Sequence, residues 1–335
     1  MVDDSAAMRA LFTDILEQSR NVRVVGVAAS AAEARDQLDD LKPNVLTLDV
    51  EMPGMSGIDF LKEIMAERPM PVVMLSSLTQ SGNEVSLKAY ELGAVECFPK
   101  PLKATPEQFA KTVGKLGQIV LAAANCNVRE RVRLQQAKSH EAKFAWNGHY
   151  AAFSASMGGV EALTALLAGY PALCPPTVIT LQAEPALVET FIARLDAELK
   201  CAVRPAKDGA MLTPGHVYIA ADPEKHAVFE PGDPPRVRLV ARDPVEGARP
   251  SATLLFGTLA RAGVPAVGAV LTGMGEDGAK GLKLMRDAGC KTFVQDRASA
   301  LVSEAPAAAM AAGAADQELR LDKLAETVIA ICNQA

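Results

Sequence analysis

Apolar and polar positions alternate in short blocks along the 335-residue chain, and the blocks are of two kinds. Short runs rich in Val, Ile and Leu read as buried strands. Longer runs with apolar residues three and four apart read as helices. In the first hundred residues the strand-like runs are 22–28, 45–50, 72–76 and 95–98. Helical patterns lie between them at 8–18, 32–39, 57–68 and 82–92. Alternating βα units of this length predict a parallel, doubly wound sheet. Pro99 and Pro101 close the last strand, and a helix is predicted over 106–124. The stretch 125–148 is polar and mixed in charge, and reads as a helical extension and linker.

A second alternating pattern starts at His149. Its predicted strands are 150–154, 177–182, 216–220, 226–230, 237–240, 267–272 and 291–294. Its predicted helices are 158–167, 187–199, 251–262, 278–287, 305–312 and 323–332. This is again α/β, with an antiparallel excursion expected between about 213 and 242.

Composition changes this picture little. Apolar residues make up 49% and charged residues 22%, as in ordinary globular proteins, but aromatics are only 4%. The cores must therefore rely on Leu, Val, Ile, Ala and Met. A net charge of −6 argues against nucleic acid as a partner. The local basic run Arg129, Arg131, Arg133 and Lys138 reads as a solvated helix face. Cys97, Cys126, Cys174, Cys201, Cys290 and Cys332 are scattered without a CxxC pair, which favours reduced thiols in a cytoplasm. With no signal peptide at Met1 and no apolar run near ~18 residues, membrane insertion is not expected.

The first chemistry is acidic. Asp3 and Asp4 stand side by side, and Asp49 ends the strand-like run 45–50. In an open parallel sheet, groups after neighbouring strands converge at the carboxyl edge. Three carboxylates there repel one another, so a hard divalent cation with oxygen ligands, Mg²⁺, is expected among them. Ser76 ends the next strand and Lys100 the one after. A hydroxyl and an ammonium at that edge suit the oxygens of a phosphoryl group carried on Asp49.

The ordered set Asp3-Asp4, Asp49-x-x-Met-Pro-Gly-Met-x-Gly57, Ser76 and Lys100-Pro101 resembles the receiver domain of two-component response regulators. The resemblance covers 1–102. It implies a flavodoxin-like parallel sheet, Asp49 as phospho-acceptor, Asp3 and Asp4 as metal ligands, Ser76 as the switch hydroxyl, Lys100 as the phosphate-sensing base, and a histidine kinase as partner. One feature departs from it. Only Met1 and Val2 precede the acidic pair, and two residues span roughly 7 Å, too little for a usual strand. A start upstream, a trimmed sequence and a receiver that folds poorly all remain open.

The second chemistry is a serine turn. Phe153-Ser-Ala-Ser-Met-Gly-Gly159 follows one predicted strand and opens a helix, which places Ser156 at a helix N-terminus. Leu271-Thr-Gly-Met-Gly-Glu-Asp-Gly278 does the same later, with Met274 and Asp277. Together with Pro214-Gly-His-Val-Tyr-Ile-Ala220, Arg249-Pro-Ser251 and Gln295-Asp-Arg-Ala-Ser299, these segments resemble the chemotaxis protein-glutamate methylesterase and protein-glutamine glutaminase family. That family joins a receiver to a doubly wound α/β hydrolase domain, here 1–103 and 149–335, with a helix and linker at 104–148. The resemblance implies a Ser-His-Asp hydrolase acting on methyl-accepting chemoreceptors, released from block by phosphorylation. Ser156 matches the nucleophile, Asp277 the acid that orients the histidine, and the Met274 backbone the oxyanion wall.

The histidine itself is absent. Ala183 in Leu181-Gln-Ala-Glu-Pro185 stands at its position, and Glu184 beside it points to the other side. Met157, Ser154, Ala248, Thr253 and Glu304-Ala-Pro-Ala307 depart from the family as well. His216 and His226 read as structural. Loss of the base alone costs a serine protease on the order of 10⁶ in turnover. The expectation is a chemotaxis response regulator whose output domain is catalytically impaired. The alternative is an active methylesterase and glutaminase.

Overall fold

The computed structural model describes residues 1–76, 80–100, 106–126, 128 and 144–334. The chain forms two compact units, Met1–Val132 and Arg133–Ala335. The basic run Arg129 to Lys138 and most of 125–148 lie outside the described residues.

In the first unit three parallel strands stand side by side: β1 (Leu46–Asp49), β2 (Val72–Ser76) and β3 (Glu96–Pro99). β1 and β2 are buried at every position. Strands covered on both faces read as continuous apolar runs, as these do. Helices α1 (Ala6–Glu17), α2 (Ala31–Leu41), α3 (Gly57–Glu67), α4 (Gln80–Leu92) and α5 (Pro106–Ala124) accompany them. Ser5, Ser30 and Ser56 cap the first three, each accepting the backbone N–H three residues on. Phe12, Leu48, Phe60, Leu61 and Met74 are each 1% exposed or less. Burying such a side chain contributes about 1.5–3 kcal/mol. α5 packs against α1, β2 and β3 and so lies in the first compact unit.

The run 22–28 departs from the expected strand. Only Ala28 makes a bridge, to Val2, and Val2 also bridges Leu48 of β1. Ala28 N–H donates to the Met1 carbonyl at 2.9 Å, and Asp49 N–H to the Val2 carbonyl at 2.9 Å. A ladder needs a partner along its length. Among the described residues no strand pairs with 22–27, and the Met1 amine donates to the Gly26 carbonyl. Val2 is nonetheless 1% exposed and lies inside the sheet. Next to it an apolar cleft is lined by Val25, Leu38, Leu41 and Leu46.

The second unit is built on seven parallel strands. They are β4 (Tyr150–Ala155), β5 (Thr177–Leu181), β6 (Ala202–Pro205), β8 (His216–Ala220), β11 (Ala266–Val270), β12 (Lys291–Gln295) and β13 (Gln317–Leu319). Their order is β13-β12-β11-β4-β5-β8-β6. A separate antiparallel sheet joins β7 (Ala210–Met211), β10 (Arg236–Val240) and β9 (His226–Glu230). The antiparallel excursion is thus narrower than expected, because His216–Ala220 pairs in parallel with β5 and β6. β6, β7 and β13 carried no strand signal. β6 and β13 are the sheet edges, and Arg204, Gln317 and Glu318 are exposed there. Polar edges lack apolar alternation and discourage pairing with another chain.

Helices α6 (Gly159–Leu167), α7 (Pro185–Glu198), α8 (Ala252–Ala262), α9 (Ala279–Asp287), α10 (Glu304–Ala311) and α11 (Leu321–Cys332) complete this unit. α8 and α9 pack so closely that a Cβ on Gly281 would stand 2.6 Å from the Thr253 carbonyl oxygen. β4 has β5 on one side and β11 on the other, so the direction of winding switches between β4 and β11. Open parallel sheets leave a crevice at the carboxyl ends of such a pair. Among the described residues no helix is long and apolar enough to cross a membrane.

Candidate functional site

The first site lies at the carboxyl edge of the small sheet. Asp3 follows Val2, Asp49 ends β1, Ser76 ends β2 and Lys100 follows β3. Oxygens of Asp3, Asp4 and Asp49 come within 4.8 Å of one another. Asp3 and Asp49 are buried and Asp4 is exposed. Lys100 Nζ lies 2.9 Å from Asp3 Oδ2 and 2.7 Å from Asp49 Oδ2. The remaining oxygens of the buried pair accept main-chain donors, Ser5 N–H to Asp3 Oδ1 and Glu51 N–H to Asp49 Oδ1.

Burial pushes the Asp49 carboxyl above its ordinary value, and the hydrogen bond and charge of Lys100 pull it only part of the way back. Burial alone would lower Lys100. Its bonds to Asp49 and Asp3 outweigh that and raise it. Three carboxylates thus share one ammonium. All their donor atoms are hard oxygens, which fits a divalent cation of the Mg²⁺ kind. Ser76 Oγ accepts from Ser86 Oγ at 3.4 Å, and Lys100 N–H donates to the Ser76 carbonyl at 2.8 Å. The structure thus brings together all five residues that the order of the sequence singled out.

The second site lies at the switch point. Ser156 follows β4, and its Oγ accepts the Met274 N–H at 3.0 Å. The approach requires Gly273: a Cβ there would stand 2.3 Å from Ser156 Oγ. Thr272 sets this turn. Its hydroxyl donates to the Met157 carbonyl and accepts from Val302 N–H, both at 2.9 Å, while its own N–H donates to buried Gln295. Among the described residues no side chain accepts the Ser156 hydroxyl proton. Ala183, just beyond β5, offers only a methyl group.

Asp277 is fully occupied elsewhere. Its Oδ1 accepts from Ser251 Oγ at 2.6 Å and Thr253 N–H at 3.2 Å. Its Oδ2 accepts from Ala252 N–H at 2.7 Å and Gln182 Nε2 at 3.3 Å. Ser251 makes no side-chain cap of its own to α8. Asp277, held on a different segment, therefore satisfies the first N–H groups of that helix. Burial pushes its carboxyl up, against the downward pull of those bonds.

The two histidines serve elsewhere. His226 is 0% exposed; its Nδ1 accepts Ser251 N–H at 3.1 Å and its Nε2 faces the Asp243 carbonyl at 3.1 Å. His216 Nδ1 lies 3.1 Å from Thr213 Oγ1. Glu184 is exposed at the start of α7. Sequence reasoning missed Glu246, which accepts from Thr253 Oγ1 at 2.7 Å and pairs with Lys280 at 2.7 Å. No motif marks it, but its neighbour Gly247 signals a turn.

Comparison with known proteins follows the same division. Residues 151–328 match the model of the CheB methylesterase family, and residues 1–112 match the response regulator receiver domain. A protein-glutamate methylesterase/protein-glutamine glutaminase of Caulobacter vibrioides is 44% identical over 332 residues, 98% of this chain and 96% of the relative. A protein of the same description from Agrobacterium fabrum is 41% identical over 98% of this chain and 95% of its own length. The solved CheB methylesterase catalytic domain of Thermotoga maritima superposes with a TM-score of 0.53 at 26% identity, covering 55% of this chain and 99% of that one. This chain, a receiver joined to an α/β output unit, belongs to the CheB methylesterase family of chemotaxis response regulators.

Proposed function

We propose that Asp49 accepts a phosphoryl group from a chemotaxis histidine kinase, and that this state governs an output domain directed at methyl-accepting chemoreceptors in the cytoplasm. In the transfer the P–N bond of the kinase phosphohistidine breaks and a P–O bond forms to an Asp49 carboxylate oxygen. Asp3, Asp4 and Asp49 would hold Mg²⁺, which when bound offsets charge on the phosphoryl oxygens. Lys100 carries a donor that now rests on Asp49, and Ser76 a hydroxyl one strand away. Both donors would turn to a phosphoryl group carried on Asp49.

The output domain, in this reading, recognises receptor helices but hydrolyses their glutamyl esters and amides poorly or not at all. The carrying observation is the Ser156 hydroxyl, held by Met274 N–H with no side chain among the described residues accepting its proton. Without a base to take its proton, a serine hydroxyl is a weak nucleophile at neutral pH. Asp277 does not argue against this. Its role at the start of α8 supports its retention even without catalysis. The test is methanol release from methylated receptor by the phosphorylated full chain, beside Ser156→Ala. Release equal in both supports the impaired reading. Release that depends on Ser156 supports the alternative, an active methylesterase and glutaminase.

A further inference from the structure

We infer that Arg9 is a positioning residue for the divalent-ion site, acting through the main chain of Asp3 and Asp4. The inference rests on the reading of Asp3, Asp4 and Asp49 as ion ligands.

The three carboxylates are not held equally. Asp3 is fixed at both oxygens, by Ser5 N–H and Lys100 Nζ. Asp49 is fixed by Glu51 N–H and Lys100 Nζ. Asp4 is exposed, and among the described residues no hydrogen bond reaches its carboxylate. Where the Asp4 side chain leaves the main chain is therefore set by its backbone alone.

That backbone has little support from the sheet. The last ladder-type bond is Asp3 N–H to the Ala28 carbonyl at 3.2 Å, after which the chain leaves the sheet edge. Beyond it, Arg9 supplies the hold. Its Nη1 donates to the Asp3 carbonyl at 2.7 Å and to the Asp4 carbonyl at 2.9 Å. These carbonyls belong to the peptide units that follow each ligand, so pinning them sets where both side chains leave the turn.

Arg9 can do this because α1 is itself anchored. Ser5 caps it, Arg9 N–H bonds the Ser5 carbonyl at 2.9 Å, and Phe12, Ile15 and Leu16 bury its inner face. Packing of α1 is thus passed to the ligand turn through one guanidinium nitrogen. Groups that orient metal ligands typically change ion affinity by about 10- to 100-fold when removed.

The test uses Mn²⁺ as a spectroscopic probe, titrated into the full chain and followed by the electron paramagnetic resonance of the free ion. Arg9→Met keeps the apolar stem and removes the donor. It is expected to weaken Mn²⁺ binding about ten-fold or more. Arg9→Lys, whose ammonium also has hydrogens for two carbonyls, is expected to recover most of the loss. In an Asp4→Asn background, Arg9→Met is expected to have a smaller effect than in the unmodified chain, because the ligand that depends most on Arg9 is already impaired while Asp3 is also held by Ser5 and Lys100. Full Mn²⁺ affinity in Arg9→Met would overturn the inference. So would losses from Arg9→Met and Asp4→Asn that simply add, the sign of a general structural role. An unmodified chain that binds no Mn²⁺ would remove the ion site itself, and the role of Arg9 with it.

Discussion

At the scale of single residues, Ser156, Ala183 and Asp277 carry the tests of the output site. Ser156 Oγ accepts the Met274 N–H, and among the described residues no side chain accepts its proton. General bases contribute about 10²–10⁴ in rate. Ala183→His is therefore expected to raise Ser156-dependent methanol release by roughly 10²-fold or more, with Ala183→His/Ser156→Ala staying at background. No rise would mean that Thr253, Ala248 and the other departures also matter. The bonds of Asp277 at the start of α8 can be measured without catalysis. Asp277→Ala strips acceptors from Ser251, Ala252 and Thr253. Denaturant unfolding of the second unit is expected to lose about 2 kcal/mol. The pH dependence has a definite sign. Because burial raises the folded-state value above 3.8, the folded chain keeps a proton there that the unfolded chain has released. Stability then falls as pH rises through that window. As pH rises past the ordinary aspartate value, the unmodified chain is expected to lose stability relative to Asp277→Asn, which cannot titrate. A difference independent of pH would refute the raised value.

At the scale of elements, two glycines at one loop separate strain from space. Gly57 opens α3, and a Cβ there would stand 1.8 Å from the Asp49 carbonyl oxygen. That oxygen is backbone, so β1 and α3 must part before any side chain fits. Gly57→Ala is expected to abolish phosphorylation of Asp49 by a small-molecule phosphodonor, read by mass spectrometry. Gly54 has φ +82° but nothing within 4 Å of the built Cβ. Gly54→Ala is expected to cost only about 1–2 kcal/mol of backbone strain and to keep phosphorylation. Equal effects of the two would show that close approach of α3 to β1 is not the controlling feature. The elements that sequence reading missed have a common cause. β6 and β13 are held by one buried neighbour strand each, β8 and β12. Their pairing supplies what their own residues do not encode.

At the scale of the whole molecule, the two compact units are expected to unfold as separate cores, and a single fluorophore distinguishes them. Trp146 is the only tryptophan and lies in the second unit, 5.5 Å from the Tyr150 ring. Far-ultraviolet dichroism reads both units. A ligand stabilises the unit that binds it according to its concentration and affinity. Mg²⁺ is therefore expected to raise the melting transition seen by dichroism for the first unit and to leave the Trp146 transition unmoved. A shift in both, or in Trp146 alone, would contradict a divalent site confined to Asp3, Asp4 and Asp49.

The sequence by itself determined the α/β class, most strands and helices, the order of the acidic, hydroxyl and lysine residues, and the absence of a histidine at 183. These are local or ordered features, carried by apolar periodicity and by spacing along the chain. Only the tertiary structure decided which groups hold them in place. Arg9 on the Asp3 and Asp4 carbonyls, Asp277 on the start of α8, and Val2 between Ala28 and β1 are contacts across distant positions. Such contacts depend on where burial leaves a donor or acceptor unsatisfied, and that is settled only when the chain is packed.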